Sequence, residues 1–320
     1  MIRTDCNKKM EEHLDGRKIL KQVINRIKES YIDDIIKKKI NPNNSITPRN
    51  YGALKIHKFG IPLRPIVDTI GSPTYALAKH LEKKLRPSSG NTSSYIKDFA
   101  SFPEWIRNLK MNEEVLMVSL DIAYLHTMIP MDEAIDMMRK NTNEETPYII
   151  RLCLKSSYFS FNGKICEPTH KVAIGSPLSP IISNLYMEHF QQKSLNSFPY
   201  TPDEWKRLVD DVSAKWRHGK DKLKTFLAYI NNMFDHIKFT IEIKKDNQLH
   251  FLDILLTKKE GGLSFQVFRK RTHTQSYMHA NSHQHPKQKT SIMNAQTTRA
   301  IRTSDADHLN QEMNHLGQLF

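Results

Sequence analysis

The chain has 320 residues, a formal net charge of +14 at pH 7 and a hydrophobic fraction of 38%. This length suits about two domains or one large lobed domain, and the basic surplus, concentrated in residues 1–60 and 261–320, favours a polyanionic partner over an acidic one. The three cysteines lack CxxC spacing and no apolar run approaches the roughly 18 residues of a membrane span, which excludes a disulfide framework, a cysteine-built zinc site and a membrane-spanning class. Composition alone equally allows a basic protein with no polyanionic partner.

The first third of the chain is predicted to contain two helices and a hairpin. Apolar residues at three- and four-residue spacing predict a helix over residues 8–40, which ends before a cluster of Pro, Asn and Ser at 41–48. Residues 51–70 are basic and interrupted by prolines, which suits a short hairpin. Helical periodicity returns over residues 75–85 and stops at a serine-rich loop.

From residue 115 onward, strands and helices are mixed. The predicted strands are 115–120, 207–209, 212–216, 238–243, 249–257 and 263–269. The predicted helices are 131–140, 148–157, 178–195 and 223–234, and Asn162–Gly163 predicts a hairpin turn. The tail after residue 272 is only weakly periodic and receives no element. This order indicates an α+β class and not a regular βαβ alternation.

Three aspartates stand where a two-metal site would need them. Asp121 ends the apolar segment 115–120, and Asp210 and Asp211 lie between two short predicted strands. Gly175 lies between these positions in a Gly-Ser-Pro turn that precedes a helix. An acidic pair alone is usually a solvated turn. Joining a 3′-hydroxyl to an α-phosphate, however, suits two divalent cations held by carboxylates, so the order of parts favours a polymerase palm.

Longer segments carry a resemblance to a known family. They are Tyr51-Gly-Ala-Leu-Lys-Ile-His-Lys, Pro62-Leu-Arg-Pro-Ile-Val, Gly71-Ser-Pro-Thr-Tyr, Ser119-Leu-Asp, Val172-Ala-Ile-Gly-Ser-Pro-Leu-Ser-Pro-Ile, Val209-Asp-Asp, Phe251-Leu-Asp and Arg269-Lys-Arg-Thr-His-Thr. In this order, across residues 50–300, they resemble successive blocks of the reverse transcriptases of Penelope-like retroelements. The resemblance implies a right-hand α+β fold, RNA-directed DNA polymerase activity, an RNA template, a DNA primer, dNTPs and two Mg²⁺ ions. It also implies an intracellular, nuclear location.

The resemblance also divides the chain. Residues 1–47 would be an N-terminal helical segment, 48–110 the fingers, 111–260 the palm with its metal site, and 261–320 the primer-grip end and a partial thumb. Members of the family commonly carry a GIY-YIG nuclease domain beyond the polymerase, and this sequence holds no such motif. We therefore expect that a nuclease domain and part of the fingers lie outside it.

Individual residues take roles from the resemblance. Asp121 and Asp210 correspond to the principal metal ligands, and Asp211 corresponds to a weaker ligand or a support. Gly175 would let the backbone approach the template–primer and the incoming base pair, since no Cβ intervenes. Arg64 would reach the incoming triphosphate, because a guanidinium forks onto phosphate oxygens.

Four further residues have both a functional and a structural interpretation. Lys55 and Lys58 would add charge near the triphosphate, or they form a solvated basic hairpin. Lys238 falls near the family's fourth palm motif, where a lysine neutralises or protonates departing pyrophosphate, or it only begins a strand. His126 takes the place of an aromatic gate against a ribose 2′-hydroxyl, or it is a partly buried loop residue. Residues 251–253 correspond to the primer-gripping hairpin.

The chain departs from the family pattern around the aspartates. Leu208 replaces an aromatic residue before Val-Asp-Asp, His126 replaces Phe, and Met128 replaces Asn. All three carboxylates remain while their surroundings differ. This pattern fits a divergent active enzyme or a catalytically decayed remnant that only binds nucleic acid. A DNA-templated or template-independent polymerase is a weaker alternative, because the finger segments match reverse transcriptases.

Overall fold

The structure, a computed structural model, describes residues 16–56, 60–98, 101–112, 114–122, 125–156, 158–161, 164–166, 174–243, 247–260, 262–270 and 272–320. Its helices are α1 (Gly16–Glu29), α2 (Asp34–Ile40), α3 (Tyr75–Leu85), α4 (Ser101–Arg107), α5 (Leu125–Met128), α6 (Met131–Asn141), α7 (Glu145–Lys155), α8 (Leu178–Ser197), α9 (Gly219–Met233), α10 (Pro286–Thr303) and α11 (Ala306–Leu319). Its strands are β1 (Arg49–Leu54), β2 (Leu63–Asp68), β3 (Leu116–Ile122), β4 (Phe159–Phe161), β5 (Lys164–Cys166), β6 (Glu204–Leu208), β7 (Asp211–Trp216), β8 (Phe239–Ile243), β9 (Gln248–Phe251), β10 (Ile254–Lys259) and β11 (Gly262–Val267).

The chain divides into two compact units. The first comprises the described residues of Met1–Thr92, Ala123–Ser197 and Phe234–Lys238, and the second those of Ser93–Ile122, Phe198–Met233 and Phe239–Phe320. No helix in the described ranges is long and apolar enough to cross a membrane. The domain boundaries expected from the sequence differ from these two units and stay a prediction.

The first unit combines packed helices with a small sheet. α3 packs against α7 and α8, and α6 packs against the same two helices. The sheet has the order β2-β1-β4-β5, in which β1 and β2 form the antiparallel hairpin predicted over residues 51–70. α3 has the bounds predicted for it. The predicted turn Asn162–Gly163 lies outside the described residues, while the strands β4 and β5 on either side pair antiparallel as expected.

The N-terminal helix prediction was wrong about continuity. Within the described part of residues 8–40 there are two helices, because α1 ends at Glu29 and Asp33 caps a new helix, α2. Its carboxylate accepts hydrogen bonds from the amides of Ile35 (2.9 Å) and Ile36 (3.4 Å), which is the typical role of an aspartate at a helix N-cap. Tyr31, counted in the apolar period, is 94% exposed.

The second unit contains two antiparallel sheets. The larger has the order β6-β7-β3-β8, and α9 packs against β8. The smaller has the order β11-β10-β9, and α4, α10 and α11 pack against β11. β3 contacts β9, and one buried apolar cluster lies under the smaller sheet. Its members are Ile96, Phe102, Ile106, Leu109, Met111, Val115, Met117, Leu249, Phe251, Ile254, Leu256 and Phe265.

Two predictions fail in this second unit. The single strand predicted over residues 249–257 is two strands, since the chain reverses at Leu252 and Asp253 and Phe251 pairs with Ile254. The buried positions change phase at the reversal, from Leu249 and Phe251 to Ile254 and Leu256, and the predicted strand ran through this break. The tail predicted to be without elements forms α10 and α11, which the pattern misses because few of their residues are buried.

Candidate active site

The three predicted carboxylates meet at one end of the larger sheet. Asp121 lies near the end of β3, and its cross-strand partner is Asp211, the first residue of β7. The amide of Ile122 donates to the carbonyl of Asp210 at 3.0 Å. Because hydrogen-bonded and non-hydrogen-bonded pairs alternate, Asp121 and Asp211 form a non-hydrogen-bonded pair, in which facing Cβ atoms are typically about 4.5–5.5 Å apart.

The charges of this group act on Asp211. Burial, followed by the negative charges of Asp210 and Asp121, raises the pKa of Asp211 from 3.8 to about 6. Lys270 opposes this shift, and Asp253 adds to it. Among the described residues that act on Asp211, three are negative and only Lys270 is positive, so the site carries a negative excess. Asp253 and Lys270 are members of the group that sequence reasoning did not assign to it.

The group has the donor set of a divalent-cation site. Carboxylate oxygens are the ligands that Mg²⁺ prefers, and the mutual repulsion that raises the pKa of Asp211 is what a bound cation relieves. As the side chains stand, however, no three His, Cys, Asp or Glu residues in the described part of the chain are grouped tightly enough to hold a metal ion. The residue types and backbone positions fit a cation. Coordination would require the carboxylates to rotate toward a common point.

A strained two-residue turn presents the acidic pair. Leu208 pairs with Asp211, so Val209 and Asp210 alone form the β6–β7 turn. Val209 has a φ of +57°, which is unfavourable for a β-branched residue, and such conformations cost on the order of 1–3 kcal/mol. Residues held in this way are concentrated at functional sites, where the surrounding structure enforces the conformation.

The buried side chain of Arg207 supports this turn through a hydrogen bond. Its side chain is 0% exposed, and its Nη1 donates to the carbonyl of Val209 at 3.0 Å. Its amide donates to Ser94 (2.7 Å) and its carbonyl accepts from Ile96 (3.0 Å), so an adjacent chain segment fixes the backbone of β6. Sequence reasoning missed Arg207. The signal was present, because Trp205 and Arg207 share the inward face of β6.

A second turn of the same kind lies in the smaller sheet. Leu252 and Asp253 form the two-residue β9–β10 turn, and Leu252 has a φ of +54°. Leu252 packs against the apolar cluster that Leu208 also contacts. The structure thus shows a turn at Leu252–Asp253, where the family resemblance implied a hairpin, while its primer-gripping role stays a prediction.

The first unit holds the predicted glycine turn and the phosphate-binding arginine. The amide of Val67 in β2 donates to Ile174 at 2.8 Å, and the Thr69 hydroxyl donates to the carbonyl of Gly175 at 2.9 Å. Gly175 has a φ of +117°, and a Cβ there would lie 2.0 Å from the carbonyl oxygen of Val67. Glycine is therefore required by this approach of β2, whatever its role toward a substrate. Arg64 is exposed on the same strand.

The other predicted substrate-binding residues are less defined. The amide of Lys55 donates to Pro62 at 2.9 Å, which closes the β1–β2 hairpin, and Lys58 lies outside the described residues. His126 belongs to α5, but its side chain is outside the described part. Lys238 is exposed and directly precedes β8. Their contacts with a substrate stay predictions.

Comparisons with solved structures establish the fold. The chain matches telomerase from Candida albicans in complex with a TWJ fragment of telomeric RNA with a TM-score of 0.56 at 12% identity, over 94% of this chain and 57% of that one. It matches apo telomerase from Candida tropicalis with a TM-score of 0.50 at 12% identity, over 85% and 56%. The BmCPV RNA-dependent RNA polymerase at its elongation state gives 0.50 at 11% identity, over 94% and 28%. The chain has an α+β fold of the right-hand polymerase kind.

The same comparisons limit what the fold implies. The chain spans a little over half the length of the telomerases that it matches and about a quarter of the viral polymerase. The family model of the animal helix-turn-helix domain matches residues 276–320, which contain α10 and α11. No curated protein matches the chain.

Proposed function

We propose that this chain is the polymerase part of a reverse transcriptase of the Penelope-like kind, which extends a DNA primer on an RNA template. The observation that carries the proposal is the convergence of Asp121, Asp210 and Asp211 at one end of a sheet in a right-hand polymerase fold. The resemblance of residues 50–300 to the family's blocks supports the choice of template.

The carboxylates suit nucleotidyl transfer. Asp121 and Asp210 would hold two Mg²⁺ ions, with Asp211 as a weaker ligand or support, and bound cations would stabilise charge on the attacking and leaving oxygens. The β6–β7 turn keeps Asp210 and Asp211 beside the end of β3 through the hydrogen bond of Ile122 to Asp210. Arg64 would bind the triphosphate of the incoming dNTP, and Lys238 would give a proton to the pyrophosphate that leaves.

A nucleic-acid partner is part of the proposal. The net charge of +14 favours a polyanion, residues 261–320 carry seven basic against three acidic side chains, and the Candida albicans telomerase that the chain matches is in complex with RNA. An RNA template with a DNA primer and dNTPs satisfies all three observations. For a retroelement enzyme we propose a nuclear location.

Primer extension with the full chain tests the proposal. A labelled DNA primer is annealed to RNA or to DNA of the same sequence and incubated with dNTPs and Mg²⁺, with Asp221→Asn as the control because Asp221 is 99% exposed on α9. We expect extension on RNA that Asp121→Asn abolishes and the control variant retains. Extension on DNA alone would indicate a DNA-templated polymerase. Duplex binding without extension would indicate the decayed remnant and refute the proposal.

A further inference from the structure

The two strained turns of the second unit have the same construction. Each has two residues, an apolar residue near φ +55° followed by an aspartate: Val209–Asp210 at φ +57° and Leu252–Asp253 at φ +54°. The two turns lie in adjoining parts of the unit, because β3 contacts β9 and because Leu208 and Leu252 pack against the same apolar cluster. Left-handed turns at non-glycine residues are costly, so two of them at one carboxylate group require two sources of support.

The second turn takes its support from helix α10. Arg299 Nη2 lies 3.3 Å from Asp253 Oδ2 and donates to the carbonyl of Phe268 at 3.3 Å. The amide of Phe268 in turn donates to the carbonyl of Asp253 at 2.7 Å. Arg299 therefore binds both the side chain of the turn and the chain segment that holds its backbone. Its side chain is 24% exposed, so the contact is partly shielded from water.

The helix α10 that carries Arg299 packs against α11 and β11, and polar contacts fix its partner α11 to the smaller sheet. Arg269, just after β11, forms a two-pronged ion pair with Glu312 of α11, with one bond at 2.8 Å and side-chain exposures of 19% and 12%. Asp305, the N-cap of α11, accepts from the Ser264 hydroxyl (2.6 Å) and the Phe265 amide (2.9 Å) of β11. Bidentate, partly buried pairs are the strong class of ion pair. The helix pair is thus built into the sheet that bears the turn.

We propose that Arg299 is a positioning residue for the polymerase site. It holds the β9–β10 turn, and with it the carboxylate of Asp253, beside Asp210 and Asp211. The helix pair α10–α11 is then a working part of the catalytic half of the molecule, and not a separate module that reads DNA as its helix-turn-helix match would suggest. This inference rests on the proposed function.

The chain offers a matched control for Arg299. Arg302 lies one turn further along α10 and is exposed, so Arg302→Gln removes the same charge from the same helix. The test compares Arg299→Gln with it in the full chain. Three quantities are measured: the turnover number and KM for single-nucleotide incorporation, the Kd for an RNA–DNA primer-template, and hydrogen exchange of the peptide that contains the Phe268 amide.

Arg299→Gln should lower the turnover number by up to about 10-fold, and by no more than Asp253→Asn does, because Arg299 acts on the site through that carboxylate. KM and Kd should change by less than about two-fold, because the proposal gives Arg299 no contact with nucleotide or duplex. Arg299→Lys should recover part of the rate, since it keeps the charge beside Asp253. Adding Asp253→Asn to Arg299→Gln should lower the rate no further than Asp253→Asn alone.

Hydrogen exchange gives a readout that needs no activity. The Phe268 amide should exchange faster in Arg299→Gln than in Arg302→Gln. Equal exchange and equal turnover in the two variants would overturn the proposal. A weakened Kd with unchanged turnover would also overturn it and would favour the separate DNA-binding role. An inactive wild type would refute the proposed function, and exchange would then decide alone whether Arg299 holds the turn.

Discussion

The β6–β7 turn and the β9–β10 turn both begin with a residue of positive φ, but they differ in which contacts enforce it. The β6–β7 turn is held by Arg207, a fully buried side chain of its own strand. The β9–β10 turn is held by Arg299, a partly exposed side chain from a helix far along the chain. Val209 is 44% exposed, whereas Leu252 packs against the apolar cluster.

The first turn is supported by a residue of its own hairpin, and the second is supported by a residue from a distant helix. A turn that is fixed within its own hairpin keeps its shape whenever the hairpin forms. A turn that is fixed by a distant helix forms fully only when that helix docks. We therefore expect changes at the β6–β7 turn to affect chemistry and stability directly, and changes at the β9–β10 turn to act through the helix pair.

The largest expected effect compares the two turn aspartates. Asp210→Asn removes a principal ligand and should lower the extension rate by about 10³-fold or more. Asp253→Asn removes a charge that acts on Asp211 more weakly and should lower the rate about 10-fold. Single-turnover incorporation measures both rates against Asp221→Asn. Equal losses would show that the two turns contribute equally to the chemistry.

The next largest effect concerns the two arginines. Arg207→Leu leaves the carbonyl of Val209 without its buried donor and should cost about 3 kcal/mol of unfolding free energy. Arg299→Gln breaks a partly exposed contact and should cost less than about 1 kcal/mol. Urea unfolding of both variants, with Arg302→Gln beside them, measures the difference. Similar costs would contradict the distinction between local and distant support.

A smaller effect is the pH dependence of the unfolding free energy, which the carboxylates of both turns influence through Asp211. The folded-state pKa of Asp211, about 6, lies above its ordinary value of 3.8, so charged Asp211 destabilises the fold above about pH 6 and the penalty disappears below about pH 4. Asp211→Asn should therefore add about 1–2 kcal/mol at about pH 8, after allowance for solvent screening, and almost nothing at about pH 4.

The same unfolding measurements rank the two turn aspartates. Both raise the pKa of Asp211, and Asp210 does so more strongly than Asp253. Asp210→Asn should therefore shift the pH transition in stability further toward acid than Asp253→Asn does. A larger shift in Asp253→Asn would reverse the order of influence, and a flat profile in the wild type would show that the pKa of Asp211 is not raised.

The fold was predictable where the spacing of the apolar residues matches the positions that are buried in the structure. The strands around Asp121 and the pair Asp210–Asp211 follow from short apolar segments, and the helix at residues 75–85 follows from its period. The helices α10 and α11 could not be predicted in this way, because burial there falls on few residues, among them Ala300, Thr303 and Leu316. Their positions depend on polar contacts with β11, which spacing does not encode.

The candidate site was predictable only where a residue lies next to the strand that positions it. The three aspartates are recognisable because each lies next to the strand that positions it. Arg299 is not, since a partly buried arginine in the fold is an ordinary solvated residue in the sequence, and the only sign of Arg207 is that it shares the inward face of β6 with Trp205. Arg299 acts on a group far away in the chain, the carboxylate of Asp253, whereas Arg207 acts within its own hairpin, on the carbonyl of Val209.

The smallest expected effect comes from the strained residues themselves. Val209→Gly should relieve the positive φ and lose little packing, since Val209 is 44% exposed, so the fold should gain up to about 1 kcal/mol. Leu252→Gly relieves the same strain but removes a side chain from the apolar cluster, so the two terms should offset each other or leave a net loss. Urea unfolding measures both.

Because strain at a site is kept for its geometry, Val209→Gly should also lower the extension rate although it stabilises the fold. A stabilised variant with full activity would show that the left-handed valine has no part in placing Asp210.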